Sequence, residues 1–396
     1  MAPAPTQHVA FVSRELNSYR IGFFEHARDL LAADGVDLRV LVGGATADDR
    51  AKKDDASLPW AERQRSVPLS IRGREVWWQF AMRDALNSDL IIIEQASKQL
   101  LNLPLSVLQR TGLVRHCLWG HGRNFQESIE GSSGEGLKRW FTRSAHWFFS
   151  YTSASTDALV ELGFPQERIT TFNNSTDVEA IRAELSSLDR DSVHRDVRQM
   201  LGIGDGPVVG YLGALYGPKR VPFLLDALAG LRERVPSVEV IIIGSGREAE
   251  LVTQFASTNP WVHPVGAQYG LERVRYGLVC DALLMPGLVG LNVVDGFALG
   301  LPTITTDIDY HSPEIAYLQH GENGWIVPAD ATPGEFAAQT AELLEDRGKL
   351  AQLQQAAFAS GSALGVEPMA ERFAAGVRLA LDAPRRRRTE HQRTSA

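Results

Sequence analysis

Short apolar runs alternate with longer amphipathic segments along the first half of the chain. Five runs have the length and the β-branched or aromatic content of strands: 8–13, 37–43, 89–95, 116–122 and 146–152. Between several of them lie segments such as GFFEHARDLLAADG and VWWQFAMRDALNS, whose apolar residues recur at helical spacing. Strands that alternate with helices are typical of βαβ units, so the pattern predicts a parallel sheet.

A second series of strand-like runs occupies the other half of the chain. Its members are 207–213, 238–246, 261–266, 281–287, 302–307 and 324–330. The polar, glycine-ending segment between the two series predicts a boundary near residues 190–205. We therefore expect an α/β protein with two Rossmann-like, doubly wound parallel-sheet domains that face each other across a cleft. The predicted domains are residues 1–195 and 196–375, followed by a basic, flexible tail over 376–396.

Composition and charge narrow the class of protein. The chain has 396 residues, 44% hydrophobic and 22% charged, which is ordinary for a globular protein with two cores. A formal net charge of −8 argues against a nucleic-acid-binding surface, which needs an excess of basic side chains. Cys117 and Cys280 lie far apart in apolar surroundings, which indicates buried free thiols. We see no membrane-spanning run and no secretion signal, and therefore expect a cytoplasmic protein.

Ligands of doubly wound sheets bind at the carboxyl ends of the strands, so the chemistry should collect in strand-to-helix loops. In GALYGPKR the chain leaves a strand at Gly213, and Lys219 and Arg220 precede a helix that starts around Pro222. Two cations beside helix-start N–H groups make a reasonable diphosphate site, although a solvated Lys-Arg pair explains the same pattern. The next loop, IIIGSGRE, carries Gly244 in a lone Gly-x-Gly, for which a tight turn is the better interpretation.

The segment 281–307, DALLMPGLVGLNVVDGFALGLPTITTD, has an unusual number of glycines where a strand should give way to a helix. Gly287, Gly290 and Leu291 lead into a predicted helix whose N–H groups would face the cleft and support negative charge. Asp295 lies away from the apolar face of that helix. A carboxylate so placed could accept hydrogen bonds from two sugar hydroxyls. By spacing alone the opposite interpretation is equally good: glycines for close helix packing and a solvent-facing aspartate.

Five polar residues of the first domain are candidates for the acceptor side of a site. His121, in WGHGRN, sits between two glycines at a strand end, in a turn that we expect to be open. Tyr19 and Arg20 occupy the first strand-to-helix loop, and Arg123 and Asn124 follow His121. A structural role remains open for each of them, because a lone histidine or a helix-start pair often serves packing.

The order of these motifs resembles the donor-binding half of family 4 glycosyltransferases over about residues 207–330. The matching landmarks are GYLGALYGPKR, VEVIIIGSG, VHPVG, CDALLMPGLVGLNVVDGFALGLPTITTD and SPEIAYLQHGENGWIVPAD. The N-terminal half resembles the family less strongly, through SYRIGFFEHA, LWGHGRN, FFSYTSASTDALVELGFPQERI and NNSTD. The resemblance thus covers nearly the whole chain, and it implies the two-domain GT-B fold and a sugar-nucleotide-dependent enzyme.

The resemblance also implies roles for individual residues. Lys219 would neutralise the diphosphate of the donor. Gly290 and Leu291 would offer backbone amides near the diphosphate and sugar, and Asp295 would bind the ribose hydroxyls. His121 would hydrogen-bond the sugar or handle the acceptor proton, as suits a group with an ordinary pKa of ~6.5.

The implied reaction is transfer of a sugar, with retention at its anomeric carbon, from a nucleoside diphosphate sugar to an acceptor hydroxyl. We expect a hexosyltransferase of glycan, glycolipid or natural-product biosynthesis, with polysaccharide pathways included, whose nucleotide is UDP or GDP. The predicted catalytic residues are His121, Lys219 and Arg220. No Asp-x-Asp motif stands where a metal-dependent transferase would need one, so we expect neither a metal nor a cofactor.

Two positions depart from the family's pattern. Gly287 stands where the family has the first of two glutamates eight positions apart, and Ala214 stands where it has a diphosphate-binding arginine. Arg220 is close enough in sequence to reach the same phosphates. A branch of the family found in surface-polysaccharide pathways similarly reads PG-x-VGL without the first glutamate. A sugar-nucleotide epimerase of the same fold, or an inactive nucleotide-binding relative, therefore stays open beside the transferase.

Two basic segments raise the question of a peripheral contact with the inner face of a membrane. GLKRWFTRSAHWFFSY, with Lys138, Arg139 and Arg143, fits either a membrane-touching element or a helix end that feeds a buried strand, and we prefer the second. For the arginines at 385–388 we prefer a solvated end without function. The sequence leaves the acceptor open among a polysaccharide, a lipid-linked sugar and a small natural product.

Overall fold

The computed structural model describes residues 6–43, 58–71, 74–122 and 135–386. The chain divides into two units, one of residues 1–174 with 366–396 and one of residues 175–365. Helices of the described residues are, in chain order, α1 (Ile21–Ala33), α2 (Met82–Leu86), α3 (Asn102–Thr111), α4 (Glu135–Ser144), α5 (Ser153–Glu161), α6 (Val178–Ser187), α7 (Arg190–Leu201), α8 (Val221–Arg234), α9 (Ala249–Thr258), α10 (Gly270–Gly277), α11 (Asn292–Leu299), α12 (Pro333–Glu345), α13 (Arg347–Ser362) and α14 (Val366–Asp382).

The first unit is built on a parallel sheet of seven strands. The strands of the whole unit, hairpin included, are in chain order β1 (Gln7–Ser13), β2 (Val36–Val42), β3 (Glu62–Arg63), β4 (Ser66–Ile71), β5 (Arg74–Gln79), β6 (Leu90–Glu94), β7 (His116–Gly120), β8 (Trp147–Ser150) and β9 (Ile169–Thr171). The sheet has the order β3-β2-β1-β6-β7-β8-β9, and β4 and β5 form a separate antiparallel hairpin. All five predicted strands are confirmed; β3, β9 and the hairpin were not predicted. Chain order reverses between β1 and β6, where a doubly wound sheet has its ligand-binding edge.

The core of the first unit is unusually rich in aromatic rings. Trp119 of β7 stacks on Phe172 at a centroid distance of 4.6 Å and meets Phe11 of β1 edge-on at 4.9 Å. Phe373 of α14 lies 5.2 Å from Phe23 of α1 and is completely buried. The helix near the C-terminus therefore completes the core of the first unit, because its apolar face covers one side of that unit's sheet.

The division of the chain differs from the predicted boundaries at residues 195 and 375. Residues 175–195 contribute Val178 and Ile181 to the core of the second unit. The N-terminal part of the first unit therefore ends at residue 174 and not at the predicted residue 195. The whole of α14 returns to the first unit, so the second ends near 365. Periodicity predicts the helices on either side of a boundary, but it does not reveal which sheet each one covers.

The start of the basic tail is also ordered against the first unit, in contrast to the expected flexible end. The side chain of Arg386 is buried, and its Nη1 donates a hydrogen bond to the carbonyl of Ala145 at 2.9 Å. Gln109 in turn donates to the carbonyl of Arg386 at 2.9 Å. Residues 387–396, with the last two arginines of the run, lie outside the described residues.

The second unit is built on a six-stranded parallel sheet. Its strands are β10 (Val208–Leu212), β11 (Glu239–Ile243), β12 (Val262–Gly266), β13 (Ala282–Met285), β14 (Thr303–Thr306) and β15 (Gly324–Val327), in the order β12-β11-β10-β13-β14-β15. This arrangement is the 3-2-1-4-5-6 order of the Rossmann fold. All six predicted strands of this half are confirmed. The switch point, where chain order reverses, lies between β10 and β13.

Apolar side chains cover both faces of this second sheet. Strand β11 supplies Ile241 and Ile242 to opposite faces, and α11 buries Val293, Phe297 and the residues next to them against the sheet.

Cys117 and Cys280 are free and buried, as predicted. Within the described residues, no helix combines the length and the apolar character that crossing a membrane requires.

Candidate functional site

Two loops of the second unit meet at the switch point between β10 and β13. After β10 the chain passes through a turn of 3-10 helix, Gly217–Lys219, and enters α8. After β13 it forms residues 286–291, which we call the glycine turn, and enters α11. The N–H of Leu288 donates to the carbonyl of Pro218 at 2.9 Å, which ties the two loops together. Doubly wound sheets bind ligands at this edge.

Lys219 is the buried cation of this region. Only 7% of its surface is exposed, and its Nζ donates a hydrogen bond to the carbonyl of Leu288 in the glycine turn at 2.5 Å. Burial lowers the pKa of Lys219 to about 8, so the ammonium group keeps its charge at neutral pH. The structure therefore places one positive charge directly against the glycine turn.

Arg220 occupies a strained position at the start of α8. Its φ of 55° and ψ of 45° lie in the left-handed region, which a residue with a Cβ seldom adopts. The guanidinium group lies 4.1 Å from the ring centre of Phe223 and donates to Thr306 Oγ1 at 3.2 Å. Strain of this kind is often kept at functional sites. The hydrogen bond to Thr306 holds the Arg220 side chain at the carboxyl end of β14, close to the glycine turn.

Gly287 is a glycine because another backbone passes too close for a side chain. A Cβ at this position would lie 2.3 Å from the carbonyl carbon of Lys219 and 2.4 Å from its oxygen. The same explanation applies to Gly244, because a Cβ added there would lie 2.0 Å from the carbonyl oxygen of Gly213. The geometry supports the close-packing interpretation for Gly287; for Gly244, where the sequence favoured a tight turn, the structure adds the close approach of the Gly213 backbone. A glutamate at position 287 does not fit this backbone.

The amides of the glycine turn are only partly available to a ligand. The N–H of Gly290 donates to Asn292 Oδ1 at 2.9 Å, whereas the N–H of Leu291 meets no acceptor among the described residues. Asn292 also donates through Nδ2 to the carbonyl of Leu212 at 3.1 Å, so it connects the end of β10 with the glycine turn. Asn292 was not predicted, because the strand end that it binds, at Leu212, is remote from it in sequence.

Asp295 is buried, in contrast to the solvent-facing aspartate that the spacing also allowed. It is 8% exposed, and each of its oxygens accepts one hydrogen bond, from Thr176 Oγ1 at 2.8 Å and from Arg273 Nη1 at 2.9 Å. Burial raises the pKa of this carboxyl group, while Arg273 and Thr176 oppose the rise. Neither partner was predicted, because both come from segments remote in sequence.

His311 is a second residue of this site that the sequence did not single out. Its ring is 5% exposed and uses both nitrogens: Nδ1 accepts from the N–H of Val289 at 3.0 Å, and Nε2 donates to the carbonyl of Thr306 at 2.7 Å. It stands directly before the SPEIAY landmark, which gave no signal for this position. The ring joins the loop after β14 to the middle of the glycine turn.

His121 lies at the carboxyl end of β7 in the first unit. Its ring centre is 4.6 Å from that of Tyr151. Burial first, and then the positive charges of Lys138 and Arg20, lower the pKa of His121 to about 4. The imidazole is therefore neutral near pH 7 and suits hydrogen bonding better than charge stabilisation.

Arg20 and Tyr19 stand at the carboxyl end of β1, in the 3-10 turn Ser18–Arg20. The Arg20 guanidinium is largely buried, lies 4.5 Å from the ring centre of Trp119 and donates to the Tyr151 hydroxyl at 3.4 Å. Burial opposes its charge, but the neighbouring Tyr19, Tyr151 and Glu94 raise the pKa of Arg20 overall. The structure thus brings Arg20 and His121 together around Tyr151.

Glu94, at the end of β6, belongs to the same cluster and was missed. Its carboxylate accepts hydrogen bonds from Ser13 Oγ at 3.2 Å and from the Gln99 side-chain amide. Burial raises the pKa of Glu94, and Arg20 counters the rise. The sequence did contain a signal for Glu94, because it is a charged residue at the end of the apolar strand LIIIE. Arg123 and Asn124 lie outside the described residues.

No group of three or more His, Cys, Asp or Glu side chains stands close enough to hold a metal ion in the part of the chain that the structure describes.

Comparison with known proteins assigns a family likeness to the second unit. Residues 206–346 match the model of Glycosyl transferases group 1. Two phosphatidyl-myo-inositol mannosyltransferases are similar: that of Mycobacterium leprae is 27% identical over 146 residues, and that of Mycolicibacterium smegmatis is 29% identical over 147 residues. These matches cover 36% of this chain, and 38% and 37% of the two relatives. The chain thus matches somewhat more than a third of each relative's length.

A solved structure extends the likeness of fold to nearly the whole chain. HepE of Anabaena, in complex with UDP-glucose, aligns with a TM-score of 0.67 and 16% identity, over 94% of this chain and 99% of that one. The predicted GT-B fold, with two Rossmann-like domains, is therefore confirmed. The predicted resemblance to group 1 glycosyltransferases is confirmed over the segment that contains the glycine turn and Lys219.

Proposed function

We propose that the protein is a glycosyltransferase that moves a sugar from a nucleoside diphosphate sugar to an acceptor hydroxyl. The proposal rests on one observation above all. Lys219, Arg220 and the start of α11 lie at the switch point of a Rossmann-like sheet, inside the segment that matches group 1 glycosyltransferases. Two cations and a helix start form a site for a diphosphate.

In the proposed donor complex, Lys219 and Arg220 neutralise the diphosphate, and the N–H of Leu291 donates to a phosphate or sugar oxygen. Asp295 accepts hydrogen bonds from the ribose. A carboxylate has about four lone-pair positions, and Thr176 and Arg273 occupy two of those on Asp295. UDP and GDP are the nucleotides we favour, and UDP-glucose in the HepE complex supports a nucleoside diphosphate sugar as donor.

The proposed chemistry is transfer with retention of configuration. The bond between the anomeric carbon and the diphosphate breaks, and the acceptor oxygen bonds to the same face of the sugar. The leaving phosphate takes the acceptor proton, and Lys219 and Arg220 stabilise its developing charge, which is the kind of interaction that contributes most to catalysis. Neutral His121 contributes a hydrogen bond to the sugar or the acceptor.

Product analysis with and without acceptors tests the reaction class. Purified protein is incubated with UDP- and GDP-hexoses, alone and with polysaccharide, lipid-linked and small-molecule acceptors. A transferase releases nucleoside diphosphate and forms a glycosylated product only when an acceptor is present. Isomerisation of the donor without any acceptor would identify an epimerase. Nucleotide binding with neither reaction would identify an inactive relative.

The affinity for UDP or GDP is expected to fall as the pH rises through about 8. Protonated Lys219 binds the diphosphate, and its pKa of about 8 in the free protein means that the charge is present at pH 7 and lost above pH 8. The dissociation constant should rise by up to about tenfold per pH unit above that pKa. Titrations from pH 6.5 to 9.5 measure it. Lys219→Arg stays charged and should show no such fall; a pH-independent wild type would contradict the assignment.

Turnover is expected to survive removal of divalent metal ions. In the proposal, Lys219, Arg220 and the start of α11 carry out the charge neutralisation that a metal supplies in other transferases. We expect rates in EDTA to stay within about twofold of untreated protein, since no step uses a metal. Loss of turnover in EDTA that magnesium or manganese restores would overturn this prediction.

A peripheral membrane contact through α4 is a further part of the proposal, should the acceptor be lipid-linked. Arg139 and Arg143 are exposed on this helix and Lys138 is half-buried, with Leu137 exposed beside them. Each basic side chain near an anionic surface contributes about 1 kcal/mol, so replacing all three by Gln should weaken binding to anionic liposomes by roughly 100-fold. Co-sedimentation measures this. Unchanged binding, or none by the wild type, would remove the contact from the proposal.

A further inference from the structure

His311 holds the middle of the glycine turn through a fixed tautomer. Nε2 lies 2.7 Å from the carbonyl of Thr306 and must carry the ring proton, because a carbonyl only accepts. Nδ1 is then the acceptor for the N–H of Val289 at 3.0 Å. Both contacts need the neutral ring, and burial, the largest influence, lowers the pKa of His311.

The neighbouring residue completes the contact from the other side. The N–H of Ser312 donates to the carbonyl of Val289 at 2.9 Å, so the N–H and the C=O of Val289 are both bound by consecutive residues of one loop. The approach is close: a Cβ at Gly290 would lie 3.3 Å from Ser312 Oγ. Val289 therefore has a defined orientation two residues before Leu291, whose N–H meets no acceptor in the described part of the chain.

The same contacts reach Arg220. Thr306, whose carbonyl accepts from His311, donates through Oγ1 to the carbonyl of Pro286 at 2.7 Å and accepts from Arg220 at 3.2 Å. The ring of His311 thus links the end of β14 to the middle of the glycine turn at Val289. The Thr306 hydroxyl links the end of β14 to the first residue of the glycine turn, Pro286. Arg220 is the member of this network to which the proposed function assigns a contact with the diphosphate; His311 and Thr306 act through the backbone of the turn.

We propose that His311 is a positioning residue for the donor: by fixing Val289 it aims the N–H of Leu291 and the start of α11 at the diphosphate. This inference rests on the proposed function, since it assumes that the glycine turn binds a nucleoside diphosphate. A residue that merely fills the core would stabilise the fold without setting the affinity of the turn.

Two substitutions separate the two ring nitrogens. His311→Asn places an amide oxygen close to the position of Nδ1 and keeps the acceptor for Val289, but it loses the contact with Thr306. His311→Gln reaches the position of Nε2 and keeps the donor to Thr306, but it leaves the Val289 N–H unpaired. Each variant loses one of the two hydrogen bonds, so similar losses of thermal stability are expected.

The expected results differ between the variants. Hydrogen exchange of the segment 286–291 should be faster in His311→Gln than in the wild type and unchanged in His311→Asn. The dissociation constant for UDP or GDP, and the KM for the donor, should rise about tenfold in His311→Gln and less than about threefold in His311→Asn. The kcat should change less than the KM in both, because neither variant touches the reacting atoms.

The outcome distinguishes this inference from the proposed function. If the wild type binds neither UDP nor GDP, the proposed function fails and the positioning role fails with it. If the wild type binds and the two variants are equally weakened in proportion to their stability, or bind as the wild type does, His311 is structural only. Selective weakening in His311→Gln, with faster exchange in the same segment, supports the inference.

Discussion

Lys219→Ala is expected to lower kcat/KM for the nucleotide-sugar donor by about 100-fold to 1000-fold, the usual effect of removing a group that stabilises transition-state charge. Lys219 is the buried cation in contact with the glycine turn, and its charge is held there by the carbonyl of Leu288. Alanine removes both the charge and the contact. Initial rates over a range of donor concentrations measure the change, and melting temperature shows whether the variant is folded.

Lys349→Ala is the matched control for this substitution. Lys349 also donates through Nζ to a backbone carbonyl, that of Gly321 at 2.7 Å, but it lies in α13, outside both loops of the switch point. It should keep the catalytic parameters of the wild type while losing a comparable contact. Equal losses of activity in the two variants would mean that Lys219 acts through stability and not through the diphosphate.

Gly287→Glu is expected to destabilise the protein and to abolish donor binding, although it restores the residue that the family's pattern has at this position. A Cβ would lie within 2.6 Å of three backbone atoms of Lys219, so the loop that carries Lys219 must move. Overpacking of this kind costs about 3 kcal/mol, which corresponds to a fall in melting temperature of roughly 6–12 °C for a domain of this size. Differential scanning calorimetry measures the fall in melting temperature, and titration calorimetry measures the loss of donor binding.

Gly287→Ala separates the steric effect from the charge of the glutamate, and Gly290→Ala is the control position. The alanine at 287 should cost nearly as much stability as the glutamate, because the clash begins at Cβ. At position 290 the nearest atom is Ser312 Oγ at 3.3 Å, so the cost should be much smaller. A stable Gly287→Glu variant with higher activity would show that the missing glutamate is a catalytic loss and not a packing requirement.

Eleven of the thirteen strands in the two parallel sheets followed from the sequence, because buried parallel strands are short, continuous apolar runs that are easy to recognise. The strand β9 was missed because Ile169–Thr171 is only three residues long. The observed division near 365 differs from the predicted boundary at 375, because Phe373 and Met369 give a normal amphipathic helix whichever sheet they cover. Local periodicity predicts elements, and only tertiary contacts decide their domain.

The candidate site was predicted only in part, because a sequence shows local patterns but not contacts between remote segments. Lys219 and the glycine turn carry a signal because they are local in sequence, and the structure brings them together. The partners of Asp295 come from residues 176 and 273, and the ring of His311 comes from a different loop than the turn it holds. Such pairs are set by the packing of remote segments, so a single sequence contains no pattern for them.

The decisive measurement is a calorimetric titration with UDP, GDP, dTDP and ADP, on the wild type, on Lys219→Ala and on Asp295→Ala. We expect the wild type to bind UDP or GDP and to be stabilised by it against heat. Both variants should lose most of that affinity while remaining folded. A wild type that binds none of the four nucleotides, or variants that bind as tightly as the wild type, would contradict a diphosphate site at Lys219 and the glycine turn.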